Sequence, residues 1–309
     1  MTQSMRDAFL DEIYQIARKD SRVMLISNDF GAPSLDKYRV DCARQFVQIG
    51  IAEQNMMNVA TGMVLGGKIV YIYSIAPFVP MRCYEQMRLH MAFKNYHITA
   101  VTVGAGYSYD LSGPTHHTLE DIALMNVLPN ITILSPSDSA MGAAFARITY
   151  SEPGSYYVRF DREKFPELYD KTTDFSAGLT ILKEGRDLMI IATGAMVHQA
   201  LKVREELAKQ GVDAGIIDLY RIKPLNDKKL IQAIKKTQRA VTIEENFPEG
   251  GIGSIVSSLL VESNENIKAK RFAVAGKYFS QGNGREGLRR LAGLDVETIT
   301  NNTLKWLVK

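Results

Sequence analysis

A chain of 309 residues, 46% hydrophobic and 23% charged, has globular composition and enough length for two hydrophobic cores. Its 37 basic and 34 acidic side chains are interspersed and leave a formal charge of +3, so no concentrated basic surface is expected and nucleic acid is a poor candidate partner. The longest apolar stretch, residues 59–76, is interrupted by Gly62, Gly66, Gly67 and Lys68, short of the roughly 20 apolar residues of a membrane span.

In chain order, Met1-Thr2-Gln3-Ser4-Met5-Arg6 runs directly into an amphipathic stretch without the basic segment and apolar run of a signal peptide, so a cytoplasmic protein is expected. The spacing predicts a helix over 5–18 and strands at 23–26, 68–73, 98–103 and 131–134, with a helix at 54–64 between the first two. Cys42 and Cys83 have no Cys-x-x-Cys or Cys/His partner spacing and are read as structural thiols, which leaves neither a disulfide framework nor a zinc site. Ser135-Pro136-Ser137-Asp138-Ser139 is a capping cluster for a helix running to about Tyr150, and 156–160 reads as another strand. The pattern weakens between 163 and 186, around Pro166, Gly178 and Gly185, as at a domain boundary. Strands at 188–191, 215–219 and 240–243 then alternate with helices at 196–209 and 228–236. The fold class is α/β: two consecutive domains, 1–165 and 187–309 joined by a linker at 166–186, each a mainly parallel sheet flanked by helices.

Gly50-Ile51-Ala52-Glu53-Gln54-Asn55 puts a carboxylate at the start of an apolar helix directly after a strand-like segment. The helix dipole favours an anion there, so these residues alone also allow an ordinary first-turn glutamate. Further blocks follow: Tyr73-Ser74 through Phe78 to Arg82-Cys83-Tyr84-Glu85-Gln86, Ser112-Gly113-Pro114-Thr115-His116-His117, and Leu134-Ser135-Pro136-Ser137-Asp138. The second half has Thr193-Gly194 and Ile243-Glu244-Glu245-Asn246-Phe247, then Gly250-Gly251-Ile252-Gly253-Ser254.

In this order and spacing the blocks resemble those of transketolases and deoxyxylulose-phosphate synthases over nearly the whole chain. The resemblance implies a thiamine-diphosphate pyrimidine-domain fold followed by a transketolase C-terminal-domain fold. It also implies transfer of a two-carbon ketol unit between a ketose and an aldose, phosphorylated in the first expectation, with thiamine diphosphate and Mg2+ as cofactors. Glu53 corresponds to the glutamate that hydrogen-bonds N1′ of the cofactor's aminopyrimidine and so promotes proton loss from thiazolium C2. A buried glutamate without a cationic partner is costly unless hydrogen-bonded, a need the cofactor nitrogen would meet. Phe78 matches the aromatic that stacks on the aminopyrimidine, and Ile51 and Arg82 are carried over as cofactor contacts. The family's Ser-Thr-Phe opening is Ser74-Ile75-Ala76 here, so a second aromatic wall is missing or supplied elsewhere.

His116 stands where these enzymes place an active-site histidine or glutamine, and a histidine there can move protons at the substrate oxygens. Its neighbour His117 reads as a solvated loop residue. Arg162 aligns with an arginine that grips a substrate phosphate, with Arg159 as a substitute and a boundary salt bridge as the alternative. Arg6 lies where transketolases carry another phosphate arginine, although an exposed arginine near the terminus is the simpler reading. Ser112 replaces the aspartate that reads the donor hydroxyl, and Gly104 replaces a substrate histidine. Ser112 is kept as a substrate contact, Tyr107, Tyr109 and Asp110 are expected to line an altered pocket, and ordinary sugar-phosphate specificity is not implied.

The family binds diphosphate through a metal held by a Gly-Asp-Gly element and a later asparagine in another domain, and Gly-Asp occurs nowhere among the 23 glycines. No metal ligand is therefore assigned to this chain. The resemblance implies a partner, an N-terminal-half transketolase subunit with the diphosphate-binding domain, in an α2β2 assembly. Three alternatives stay open: the β subunit of a 2-oxo-acid dehydrogenase, an enzyme of the deoxyxylulose-phosphate-synthase type, and a non-catalytic assembly subunit. The stretch 52–55 and the Gly113-Pro114-Thr115-His116 turn fit transketolase better than the first, and Glu53, Phe78 and His116 together argue against the last.

Overall fold

The computed structural model describes residues 3–29 and 31–308. They form two compact units, Met1–Ala105 with Leu124–Thr173, and Gly106–Ala123 with Asp174–Lys309.

In the first unit, α1 (Met5–Ala17) begins after Ser4, whose hydroxyl accepts the Asp7 amide. The strands are β1 (Val23–Ser27), β2 (Phe46–Gln48), β3 (Ile69–Ile75), β4 (Ile98–Val103), β5 (Ile131–Leu134) and β6 (Ser155–Phe160). They pair in parallel in the order β5-β6-β4-β3-β1-β2. Helices α2 (Pro33–Asp41), α3 (Glu53–Leu65), α4 (Phe78–Arg82), α5 (Tyr84–Met87), α6 (Asp121–Asn126) and α7 (Ser139–Ser151) connect them. Every residue of β1, β4 and β6 is buried, as expected of parallel strands covered on both faces. The predicted capping cluster works through Asp138, whose Oδ1 accepts the Met141 amide at 2.8 Å to open α7. From β1 the chain steps to β2 on one side and then crosses to β3 on the other, which makes the carboxyl ends of β1 and β3 a topological switch point.

The second unit repeats the plan with β7 (Thr180–Lys183), β8 (Leu188–Ala192), α8 (Met196–Lys209), β9 (Ala214–Asp218), β10 (Arg221–Lys223) and α9 (Asp227–Lys235). β11 (Arg239–Ile243), α10 (Ile252–Glu262), β12 (Lys268–Phe272), α11 (Arg285–Ala292) and α12 (Val296–Leu307) complete it. The five-stranded sheet runs β12-β11-β8-β9-β7, parallel except for the edge strand β7. Its own switch point lies between β8 and β11. The Glu244-to-Gly253 motif is a cap: buried Glu244, just past β11, accepts the Ile252 amide at 2.7 Å and the Gly253 amide at 2.8 Å, so a carboxylate closes the start of α10. Among the described residues no helix is long and apolar enough to cross a membrane.

Candidate active site

The carboxyl ends of β1 and β3 and the start of α3 bring three polar side chains together. Gly50, with φ of +74°, turns the chain from β2 towards α3 in a conformation that glycine adopts without strain. Ala52, before the helix, gives no side-chain cap, so Glu53 puts its charge at the positive end of α3. The carboxylate is 2% exposed. Asn28, one residue beyond β1, donates from Nδ2 to Glu53 Oε1 at 3.0 Å and to Ser74 Oγ of β3 at 2.8 Å. Asn28 Oδ1 is buried with no hydrogen-bond partner.

A cationic partner for Glu53 is present after all. Arg82, at the end of α4, donates from Nη1 to Glu53 Oε2 at 2.7 Å, and its Cζ lies 4.6 Å from the ring centre of half-buried Phe78 at the start of the same helix. A flat, delocalised cation thus meets a carboxylate and an aromatic face, the two partners an aminopyrimidine also needs. With the orphaned acceptor of Asn28 beside them, these residues fit such a heterocycle. Cys83 is buried next to them, and burial, then the charge of Glu53, push its thiol up to about 12, which keeps it protonated and unreactive.

The remaining predicted residues fall in different surroundings. Ile51 is 73% exposed. Arg6 is not the exposed terminal arginine of the simpler reading: its side chain is 14% exposed and hydrogen-bonds Asp7 through Nε at 3.1 Å and Nη2 at 2.9 Å. Burial lowers its proton affinity, but Tyr73 and Asp7 more than compensate and hold it charged. Arg162 is exposed beyond β6, whereas Arg159 is buried within that strand, so of the two Arg162 is the one open to a soluble ligand.

In the second unit, His116 is half-buried, with its amide bonded to Gly113 O at 3.0 Å and its Nδ1 2.9 Å from Thr115 Oγ1. Ser112 is exposed in the same loop. His117 is not solvated as expected. It is 2% exposed, with its ring edge-on to Tyr107 at 5.0 Å between centres, and burial lowers its pKa. Tyr107 is fully buried and Tyr109 nearly so, packed into their unit rather than lining an open pocket. Asn28 escaped sequence reading, although an amide side chain immediately after an apolar strand was the available cue. Among the described residues no cluster of three or more His, Cys, Asp or Glu side chains is placed to hold a metal.

A parallel sheet whose switch point presents a buried carboxylate beside an aromatic face, followed by a second unit with its own mainly parallel sheet, defines a two-domain α/β class of chain. Residues 1–167 match the family model described as transketolase, pyrimidine binding domain, and residues 178–299 match transketolase, C-terminal domain. The chain is 32% identical to the 6-deoxy-6-sulfo-D-fructose transketolase subunit SqwH of Clostridium sp. (strain MSTE9), over 84% of this chain and 81% of that one. It is 30% identical to one subunit of the apulose-4-phosphate transketolase of Phocaeicola vulgatus, over 98% and 97%. A solved structure described as a split-gene transketolase, inactive beta4 tetramer, superposes with a TM-score of 0.88 at 27% identity, over 100% of this chain and 99% of that one. The chain belongs to the transketolase family. It is a transketolase-type transferase subunit, one that acts with a partner subunit.

Proposed function

We propose that this chain supplies the pyrimidine side of a thiamine-diphosphate- and Mg2+-dependent ketol-transfer site, and that an N-terminal-half partner supplies the diphosphate and metal ligands in an α2β2 complex of the cytoplasm. The observation that carries this reading is Glu53, 2% exposed at the N-terminus of α3 and braced by Asn28. In this reading Glu53 holds a proton at the aminopyrimidine nitrogen, Phe78 covers the ring, and Arg82 gives up part of its contact with Glu53 as the ring enters. Thiamine diphosphate, when bound, supplies the carbon nucleophile and electron sink for cleaving the carbon–carbon bond. By sequence, residues 1–165 are assigned to the pyrimidine-binding domain, 166–186 to the linker and 187–309 to the C-terminal domain; within these bounds residues 106–123 group with the second unit, and β7, inside the expected linker, is an edge strand of the second sheet.

His116 is assigned to moving protons at the substrate oxygens, with Ser112 beside it. Arg162 and Arg6 are assigned to an anionic end of the substrate. The names of the two relatives, 6-deoxy-6-sulfo-D-fructose and apulose-4-phosphate transketolase, both describe sugars with such an end. The test is reconstitution. The chain alone should show no ketol transfer and weak cofactor binding in calorimetry. Adding the partner should create activity dependent on thiamine diphosphate and magnesium, and tight metal-dependent binding by the chain alone would refute the division of labour.

A further inference from the structure

In open α/β sheets the crevice at the switch point is the usual place for a ligand. In the second unit that crevice, between the ends of β8 and β11, is occupied by the chain itself. Glu245, two residues past the end of β11, is 4% exposed. Its Oε1 accepts from Arg285 Nε at 3.1 Å and Arg289 Nε at 2.6 Å, and its Oε2 accepts from Arg285 Nη2 at 2.7 Å. Both arginines lie on one face of α11, four residues apart, and are 6% and 7% exposed. Arg289 Nη2 reaches across to Met196 Sδ, at the first residue of α8, at 3.7 Å.

The position left on the carboxylate is taken by backbone: the Tyr107 N–H donates to Glu245 Oε2 at 3.1 Å. Gly106 has φ of +60°, and a Cβ there would lie 2.3 Å from that same oxygen, so only glycine lets the chain pass so close. Gly106 and Thr118 then exchange backbone hydrogen bonds, at 3.1 and 2.9 Å, and close residues 106–118 into a loop. Asp110 Oδ2 accepts the Arg285 amide at 3.0 Å, tying the loop's first half to the start of α11. Beyond the loop, the Phe247 amide donates to Leu119 O at 2.9 Å and Asn246 Nδ2 to Asp121 Oδ1 at 2.8 Å. The segment left between these ties carries Ser112 and His116.

Burying one carboxylate among two guanidiniums does not by itself favour a fold, because a well-packed apolar trio of similar volume is often as stable. What the ionic trio adds is direction: with both oxygens fixed by rigid guanidinium forks, the remaining lone pair points at one backbone amide. Burial would raise the Glu245 pKa, but Arg285 and then Arg289 hold it well below the usual carboxylate range, so the acceptor is charged at any working pH.

We propose that Glu245, locked by Arg285 and Arg289, is a positioning residue for the 106–118 loop, and that the second domain uses its switch-point crevice to aim His116 rather than to bind a ligand. The inference rests on the reading of His116 as a proton-transfer residue. The first measurement is backbone hydrogen exchange of the full chain, comparing wild type with Glu245→Gln, which keeps the size but removes the charge. Peptides covering 106–118 should exchange about tenfold faster or more, while those covering β1, β3 and β4 keep wild-type protection. Asp110→Ala, at a less buried tie, serves if the first variant does not fold, and should loosen the same peptides.

The second measurement is steady-state kinetics of the complex with the partner subunit. The loop variants should lose kcat with little change in KM and should shift the pH limb that His116→Ala abolishes, a change that mere loss of stability would not produce. Wild-type exchange in the loop of both folded variants overturns the proposal. If the loop loosens but His116→Ala retains full turnover with no altered pH limb, the assignment of His116 fails, and the aiming role fails with it.

Discussion

Replacing Glu53 with Gln separates chemistry from folding because the two effects differ in size. The side chain is 2% exposed and makes two hydrogen bonds, one from Asn28 at 3.0 Å and one from Arg82 at 2.7 Å. Glutamine keeps the volume and one oxygen acceptor, so Asn28 can be retained. The lost charge pairing is with an arginine whose side chain is 45% exposed, so solvent screening limits its contribution to about 1 kcal/mol. Removing a buried charge also removes its desolvation cost, which offsets part of that loss. The melting temperature should fall by no more than a few degrees. Proton loss from thiazolium C2, in contrast, depends on the carboxyl group at N1′ in the proposed function. A loss of about 4 kcal/mol there lowers turnover about a thousandfold. The assay is hydrogen–deuterium exchange at C2 of thiamine diphosphate in the assembled complex, with thermal melting of the isolated chain beside it. Exchange at the wild-type rate in a folded Glu53→Gln complex would remove Glu53 from the mechanism.

In the proposed function Arg82 leaves Glu53 but stays as a contact to the cofactor, so Arg82→Met should leave the melting temperature within a few degrees of wild type, since the arginine is half-exposed, but weaken cofactor binding in the complex about tenfold; titration by calorimetry checks it, and unchanged or tighter binding would show that Arg82 only fills the site of the free chain. Arg162→Ala should raise KM for a substrate with an anionic end group by one to two orders of magnitude, from loss of about 1.5–3 kcal/mol, and equal effects on a neutral analogue would count against it. His117 gives a pH prediction. Burial depresses its folded pKa below the ordinary value of 6.5, so from 6.5 down to the folded value the unfolded chain binds the extra proton and the fold loses stability on acidification. Denaturant midpoints at pH 7.5 and 5.5 should therefore diverge more for wild type than for His117→Phe, and identical pH dependence would refute the burial argument.

What could be read from sequence is local. Glu53 was legible because a strand, a positive-φ glycine and an acidic first residue of an apolar helix fall within six positions. Phe78 and Arg82 stand four apart on one short helix, so their proximity follows from helical spacing. Asn28 lies 25 residues from Glu53 and meets it only because β1 and β2, the strands that each precede one of the two side chains, are neighbours in the sheet. The fate of the two histidines shows the limit most directly. Adjacent residues in a loop share a neighbourhood in sequence, but the ring that turns inward is chosen by what fills the interior, here Tyr107 against His117. The grouping of 106–123 with the second unit was equally hidden, since it depends on a tie between Tyr107 and Glu245 across 138 positions.

The two sheets carry the same topological opportunity and use it differently, and the difference lies in how each carboxylate is satisfied. Glu245 has two buried arginines and a backbone amide, partners that cannot leave without exposing an uncompensated charge. That arrangement suits a permanent joint. Glu53 has a neutral amide from Asn28 and one arginine with a route to solvent, beside an acceptor on Asn28 that is left without a partner. The cost of releasing Arg82 is small because water takes over its hydrogen bonds, so an incoming heterocycle competes with a weak, reversible contact rather than with a locked one. A carboxylate needed for chemistry has to be buried enough to act strongly and free enough to change partners, and of the two only Glu53 meets both conditions. By this physical criterion the first switch point has the character the proposed reactive site requires, and the second that of a scaffold.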